Sequence, residues 1–205
     1  MAARRGEVLR EHILATAKDV FLESGFGGAS MDLVAQRAQT SKRSLYAHFE
    51  TKEALFLAVI DRIHELFLGR IKSPANYASD PEDAVVLYCA RVAQMFTWAP
   101  IVRTCRLGIA EAERLPGAAA KLYEAFFGAA RDALDEHLVA ALGVDPQHST
   151  QVAERCLGVA LHPWFARALF AVETPRTDVP EESTLGRDVD LDGVRRAVTA
   201  HLRPD

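Results

Sequence analysis

The stretch S-M-D-L-V-A-Q-R-A-Q-T-S-K-R-S-L-Y-A-H-F-E-T-K, residues 30–52, decides the fold. It reads as two short amphipathic helices joined by a tight polar turn. Ser30 suits the cap of the first, where its hydroxyl accepts from exposed first-turn amides, and Asp32 sits near the positive helix end. Leu33, Val34 and Ala38 fall at helical spacing and give one apolar side, while small Ala35 lets a second helix cross closely. Gln39-Thr40-Ser41 is the turn, and Ser41 caps the next helix. In that helix Leu45 and Phe49, four apart, point inward. Lys42, Arg43, Ser44, Tyr46 and His48 are left for solvent or a partner. Cations for phosphates or guanine edges, with hydroxyl donors beside them, are what a recognition helix needs.

The pattern extends to both sides. G-F-x-x-A-S-M at residues 25–31 and S-K-R-S-L-Y-A-H-F-E-T-K-E-A-L at residues 41–55 resemble the DNA-binding segment of the TetR/AcrR family of bacterial transcriptional regulators. The resemblance covers about the first sixty residues. The turn departs from the family pattern of glycine followed by an aliphatic residue, having Gln39 and Thr40 instead. Glutamine tolerates a left-handed backbone less well than glycine, so the turn's geometry is where this chain differs. A weaker similarity, R-L-G-I-A-E-A-E-R-L-P-G-A-A-A-K-L-Y-E at residues 106–124, is to the C-terminal domain of an AcrR-like branch, and bears on architecture alone.

With 205 residues, 49% of them hydrophobic and 25% charged, the chain has the composition of a globular protein of one or two domains. Its net charge of −4 argues against a general nucleic-acid binder. The charge is uneven, however. The first 52 residues hold eight Lys/Arg against six Asp/Glu, and the rest hold 16 against 22. A mildly basic head on an acidic body fits site-specific DNA binding, although chance asymmetry gives the same count. Cys89, Cys105 and Cys156 are odd in number, far apart and set in apolar helical patterns. They read as reduced, buried thiols of a cytoplasmic protein, with redox sensing disfavoured because no basic cluster flanks them. The start M-A-A-R-R-G-E lacks a signal peptide's apolar core, and the best apolar run, residues 54–60, is too short to span a bilayer.

Taken in order, Arg4, Arg5 and Arg10 open the chain as a groove-following arm or as a solvated tail. Residues 7–24 carry Leu9, Ile13, Ala17, Val20 and Phe21 at helical spacing. Gly25 stops that helix and Phe26 packs back on it. Thr51 caps a long helix to about residue 72 that connects head to body. Helices follow at about 81–97 and 100–113, after Pro116 to Leu142, and from Pro146 to about 171 with a kink at His162-Pro163. Residues 173–186 form a polar loop, and residues 190–202 a last helix. The fold class is all-α: a three-helix head with a helix-turn-helix, and a larger helical body, about nine helices in all. The division expected is residues 1–52 for DNA binding and 53–205 for effector binding and dimerisation.

Enzymatic chemistry finds no support. The chain has no nucleophile elbow and no glycine-rich phosphate loop, and His64, His137 and His162 lack partners at metal-ligand spacing. The reading therefore includes no catalytic residue, no metal and no cofactor. Aromatic residues are dense in the body, and Tyr88, Phe96, Tyr123, Phe127 and Trp164 are the candidates for lining an apolar effector cavity, with core packing the alternative for each.

The family resemblance implies a homodimer reading a palindromic double-stranded DNA operator, usually to repress, and released by a small apolar or aromatic effector. By its pattern Lys42, Arg43 and Ser44 face bases or phosphates. Tyr46, His48 and Lys52 hold phosphates, as does Ser30, with Ser41 beside them at the helix start. Small residues Ala153, Gly158, Ala160, Ala166 and Ala168, with the stripe Leu191, Val194, Ala197 and Val198, suit a dimer formed by the last two helices. A helical protein-interaction module, a DNA-binding protein that answers to no ligand, and an enzyme on a helical bundle stay open as alternatives.

Overall fold

The computed structural model describes the backbone of residues 2–202 and the side chains of residues 6–202. The side chains of Arg4 and Arg5, and with them the expected arm, lie outside the described residues. All named elements are helical: α1 Ala2–Gly28, α2 Met31–Arg37, α3 Lys42–His48, α4 Lys52–Leu68, α5 Pro81–Phe96, α6 Ala99–Ala110, α7 Pro116–Tyr123, α8 Ala129–Leu142, α9 Pro146–Leu161, α10 Trp164–Leu169, α11 Leu185–Asp188 and α12 Leu191–Leu202. A π-helical segment, Glu124–Gly128, joins α7 to α8, so residues 116–142 run as one helix. Counted that way, the described residues form 11 helices, all-α as expected but more finely divided than nine.

Several ends follow from the residues placed there. Gly25 adopts φ 68°, which glycine alone enters without strain, and Phe26 turns back to stack on Phe21 at 5.9 Å. The carboxylates of Asp80 and Asp145 accept from the amides of Asp83 and Gln147, both at 2.9 Å, ahead of Pro81 and Pro146. Gly143, φ 65°, ends α8. Two expectations need correcting. α4 stops at Leu68 and not near residue 72. At His162-Pro163 the helix does not kink but ends, because a proline has no amide to continue the ladder, and α10 starts afresh at Trp164.

Compactness divides the chain differently from a cut after Lys52. One unit takes in Met1–Leu66 and Arg106–Ala125, the other Phe67–Cys105 and Phe126–Asp205. In the first, Ile13, Leu14, Ala17 and Val20 of α1 are buried, as are Leu45, Phe49, Leu55 and Val59. Phe21, Phe26 and Phe56 pack ring to ring at 4.9 to 5.9 Å. Lys121 pairs with Asp61 at 2.6 Å, and Arg114 lies over the Phe26 ring, 5.2 Å from its centroid. Residues 106–125 are thereby fastened to the head's own core.

The second unit has α5 at its centre, buried along most of its length and packed by α8, α9 and α12. Its heart is aromatic: Phe96 touches Phe67, Phe126, Phe127 and Phe165 with ring centroids 4.8 to 6.1 Å apart. Edge-to-face and tilted pairs of this kind add to the area term of burial. Cys89, Cys105 and Cys156 are all buried free thiols. Burial drives Cys105 to a pKa of about 12 and Cys156 to about 11, and pushes Cys89 well up. Burial thus disfavours the thiolate at all three, which argues against redox sensing.

Candidate nucleic-acid interface

The interface is assembled from the two short helices after Phe26. Ser30 Oγ accepts from the Leu33 amide at 3.1 Å and starts α2; Ser41 Oγ accepts from the Ser44 amide at 3.0 Å and starts α3. Both helices have seven residues, too short to be stable alone, and are held by burial of Val34, Ala35, Leu45 and Phe49. The turn between them is closed by Thr40 N donating to Ala35 O at 3.0 Å, and by Gln39 at φ 49°. His12 Nε2 lies 3.1 Å from Ala38 O, so a side chain of α1 grips the carbonyl at the end of α2. Arg37 pairs with Glu23, a second clasp between the same two helices.

With Leu45 and Phe49 inside, α3 turns Lys42, Arg43 and Tyr46 outward together, and Tyr46 is 47% exposed. Lys42 Nζ is 2.6 Å from Asp32 Oδ2, an ion pair across the turn with both partners largely in solvent. Arg43 is exposed and, among the described residues, carries no ion pair. Ser44 and Ser41 share a hydrogen bond, Oγ to Oγ 2.8 Å. His48 is half-buried beside the Phe49 ring, and Arg10 stands 5.4 Å over the same ring. The arrangement is a rigid, exposed face with two cations and a phenol, suited to an anionic polymer.

Lys52 is placed otherwise. Its ammonium donates to Phe26 O at 2.8 Å and Ala29 O at 2.9 Å, over the Phe26 ring at 4.3 Å. These contacts run inward and tie the start of α4 to the bend between α1 and α2. Sequence reasoning passed over His12 and the inward side of Lys52 because their partners are backbone carbonyls, which no residue pattern displays.

Of the five aromatic candidates of the body, Trp164 lines one described cavity and Tyr88 another. Tyr88 is buried, with its hydroxyl donating to Ala130 O at 3.0 Å and its pKa pushed up by burial. Phe96 is enclosed by rings, and Phe127 packs on it at 4.9 Å. Tyr123 is 53% exposed and belongs to the other compact unit. Trp164, 57% exposed, stands on the wall of a cavity of about 650 Å³ whose other walls come from the end of α5, α9, Arg176, residues 186–190 and α12. A smaller space of about 210 Å³ touches Tyr88, Phe67 and Ala130. Among the described residues no group of three or more His, Cys, Asp or Glu is disposed to hold a metal ion, and no helix is long and apolar enough to cross a membrane.

Residues 13–59 match the sequence profile of "Bacterial regulatory proteins, tetR family". Over 82 residues the chain is 44% identical to the HTH-type transcriptional activator FasR of Mycolicibacterium smegmatis, covering 38% of this chain and 37% of that protein. Over 65 residues it is 40% identical to the HTH-type transcriptional regulator UidR of Escherichia coli, covering 32% and 33%. The match thus spans about a third of the length of these curated relatives. Two solved structures share the fold over nearly the whole chain. A regulator from Mesorhizobium loti, assigned to the TetR family, has a TM-score of 0.77 at 23% identity, covering 97% of this chain and 96% of its own. The flavonoid-responsive regulator FrrA has a TM-score of 0.74 at 24% identity, covering 96% and 95%.

Proposed function

Because the chain belongs to the TetR/AcrR family of bacterial transcriptional regulators, by its head and by its fold, we propose that it is a cytoplasmic homodimeric repressor of a palindromic operator, released by a small hydrophobic effector. The observation that supports this most is the outward face of α3: Lys42, Arg43 and Tyr46 exposed together on a helix whose other side is locked by Leu45 and Phe49. Arg43, unpaired among the described residues, is the base reader. Tyr46, Lys42 and the hydroxyls of Ser30 and Ser44 hold phosphates. Lys52 and His12 act one step back, fixing the angle at which α3 is presented.

Two copies related by a twofold axis present two such faces, which matches half-sites spaced by one helical turn or a multiple of it. Effector binding in the second unit weakens DNA binding by its preference for the state in which the heads do not fit the operator. FrrA is named for its response to flavonoids, which supports a flat aromatic effector here. The test is a gel-shift titration of the purified chain on DNA flanking its own gene, beside a reporter driven by that DNA. A shifted complex with two protomers per duplex, and a reporter that rises when the gene is deleted, are expected. Absence of any sequence-specific complex contradicts the DNA reading, and a reporter that falls makes the protein an activator, as FasR is named.

A further inference from the structure

We propose that the cavity of about 650 Å³ in the second unit binds an amphipathic organic acid, a molecule with an apolar body and a carboxylate or sulfonate at one end. The inference rests on the effector reading above and gives that effector a place and a chemistry.

One side of the cavity is apolar. Pro163, Trp164 and Phe165 form it from the start of α10, with Ala160 of α9 and Val194 and Ala197 of α12. Trp164 keeps 57% of its surface in solvent, unusual for an indole at the edge of a recess, and an apolar ligand covering it removes that surface from water. The volume is within the range that takes molecules of drug size.

The other side is polar, and its hydrogen-bonding capacity is unequally used. The side chain of Asp188 is 2% exposed, and both its carboxylate oxygens are occupied. Oδ2 accepts from Thr184 Oγ1 at 2.6 Å and Gln94 Nε2 at 2.8 Å; Oδ1 accepts from Arg187 Nε at 3.1 Å and forms an ion pair with Arg176 Nη2 at 2.8 Å. Asp190, also on the wall, caps α12 by accepting from the Gly193 amide at 2.9 Å, where the positive helix end offsets its charge. Arg176 and Arg187 each give one nitrogen to Asp188 and keep the rest of the guanidinium fork. Two cations thus share one carboxylate, and the unspent valence beside them is donor and positive. An acidic group completes that set with charge-assisted bonds, whereas an amine has to compete with two arginines for Asp188.

The test uses the full-length protein without DNA and two probes that differ in one group, 1-anilinonaphthalene-8-sulfonate and uncharged N-phenyl-1-naphthylamine. Wild type, Arg187→Gln and Trp164→Ala are titrated by probe fluorescence, with circular dichroism as the check of folding; both altered side chains are largely exposed, which favours intact folds. Wild type is expected to bind the sulfonate roughly tenfold more tightly than the amine. Arg187→Gln should remove most of that ratio while leaving the amine unchanged, and Trp164→Ala should weaken both probes. Equal affinity of wild type for the two probes overturns the proposal, as does an Arg187→Gln that binds the sulfonate like wild type or a folded Trp164→Ala that loses neither. A second arm adds the sulfonate to the protein–operator complex. Binding without release of DNA supports the site and contradicts the effector reading alone.

Discussion

Gln39 holds φ 49°, a conformation that costs a side chain with a Cβ about 1–2 kcal/mol and glycine nothing comparable. Against this, glycine loses more freedom on folding. Gln39→Gly should therefore stabilise the protein by about 0.5–1 kcal/mol, raising the melting temperature by roughly 1–4 °C. Calorimetry showing a lower melting temperature would mean that the turn is not strained. Asp32 poses a different question. Its carboxylate occupies Lys42 at 2.6 Å, in the open, where such a pair is worth about 0.2–1 kcal/mol. Phosphate must take Lys42 from it. Asp32→Asn should tighten operator binding roughly two- to fivefold and steepen its salt dependence; an affinity at or below that of wild type would show that Lys42 does not reach the DNA. At this scale the caps Ser30 and Ser41 and the inward pair Leu45 and Phe49 were legible, since each depends on spacing within one turn of helix. The inward grip of Lys52 was not, because Phe26 O and Ala29 O come within its reach only after Gly25 bends the chain.

Among the elements, the segment after α10 departs most from its sequence. Residues 173–186 read as a polar loop, yet they are tied to α5 at several points. Gln94, fully buried, donates to Glu181 O at 3.0 Å and to Thr184 Oγ1 at 3.1 Å, and Arg176 N donates to Thr97 O at 2.8 Å. Asp188 anchors the far end. Its burial favours the neutral acid, but hydrogen bonds from Thr184, Gln94 and Arg187 and the charge of Arg176 outweigh that and hold its pKa below the ordinary carboxylate value. A lowered folded-state pKa gives stability that is fully present above the unfolded value, near pH 4, and is lost as pH falls through the folded one. Wild type should accordingly lose part of its stability below about pH 4, and Asp188→Asn should be less stable at neutral pH with a flatter acid limb. Denaturation curves that keep the same acid slope in both proteins would show that Asp188 is not the anchor. Helix ends set by Asp-Pro pairs were readable in sequence because cap and proline are adjacent. The anchor was not, since Gln94 and Asp188 are 94 positions apart.

For the whole molecule, the sequence carried the fold class and the regulator's head, while the cavity needed coordinates. The expected dimer stripe on the last helix shows the reason. Val194 and Val198 are buried within their own chain, so Val194→Asp should destabilise the fold itself and does not report on association alone. Helical periodicity reveals an apolar face without saying which neighbour covers it. A dimer through α9 and α12 has to use their outward residues, and Gly158 is one: it is exposed, and a Cβ there meets nothing within 4 Å. Gly158→Glu should keep the monomer's fold, prevent pairing at low micromolar concentration and abolish operator binding with α3 untouched. Sedimentation that still shows a dimer would move the interface elsewhere. The central claim, that α3 reads DNA, is tested most directly by titrating wild type, Arg43→Ala and Tyr46→Phe against an operator and a set of its single base-pair variants. Arg43→Ala should lose about 1–3 kcal/mol and its discrimination at one symmetric pair of positions, and Tyr46→Phe should weaken every duplex alike. Folded variants that both bind every duplex as wild type does would contradict the account.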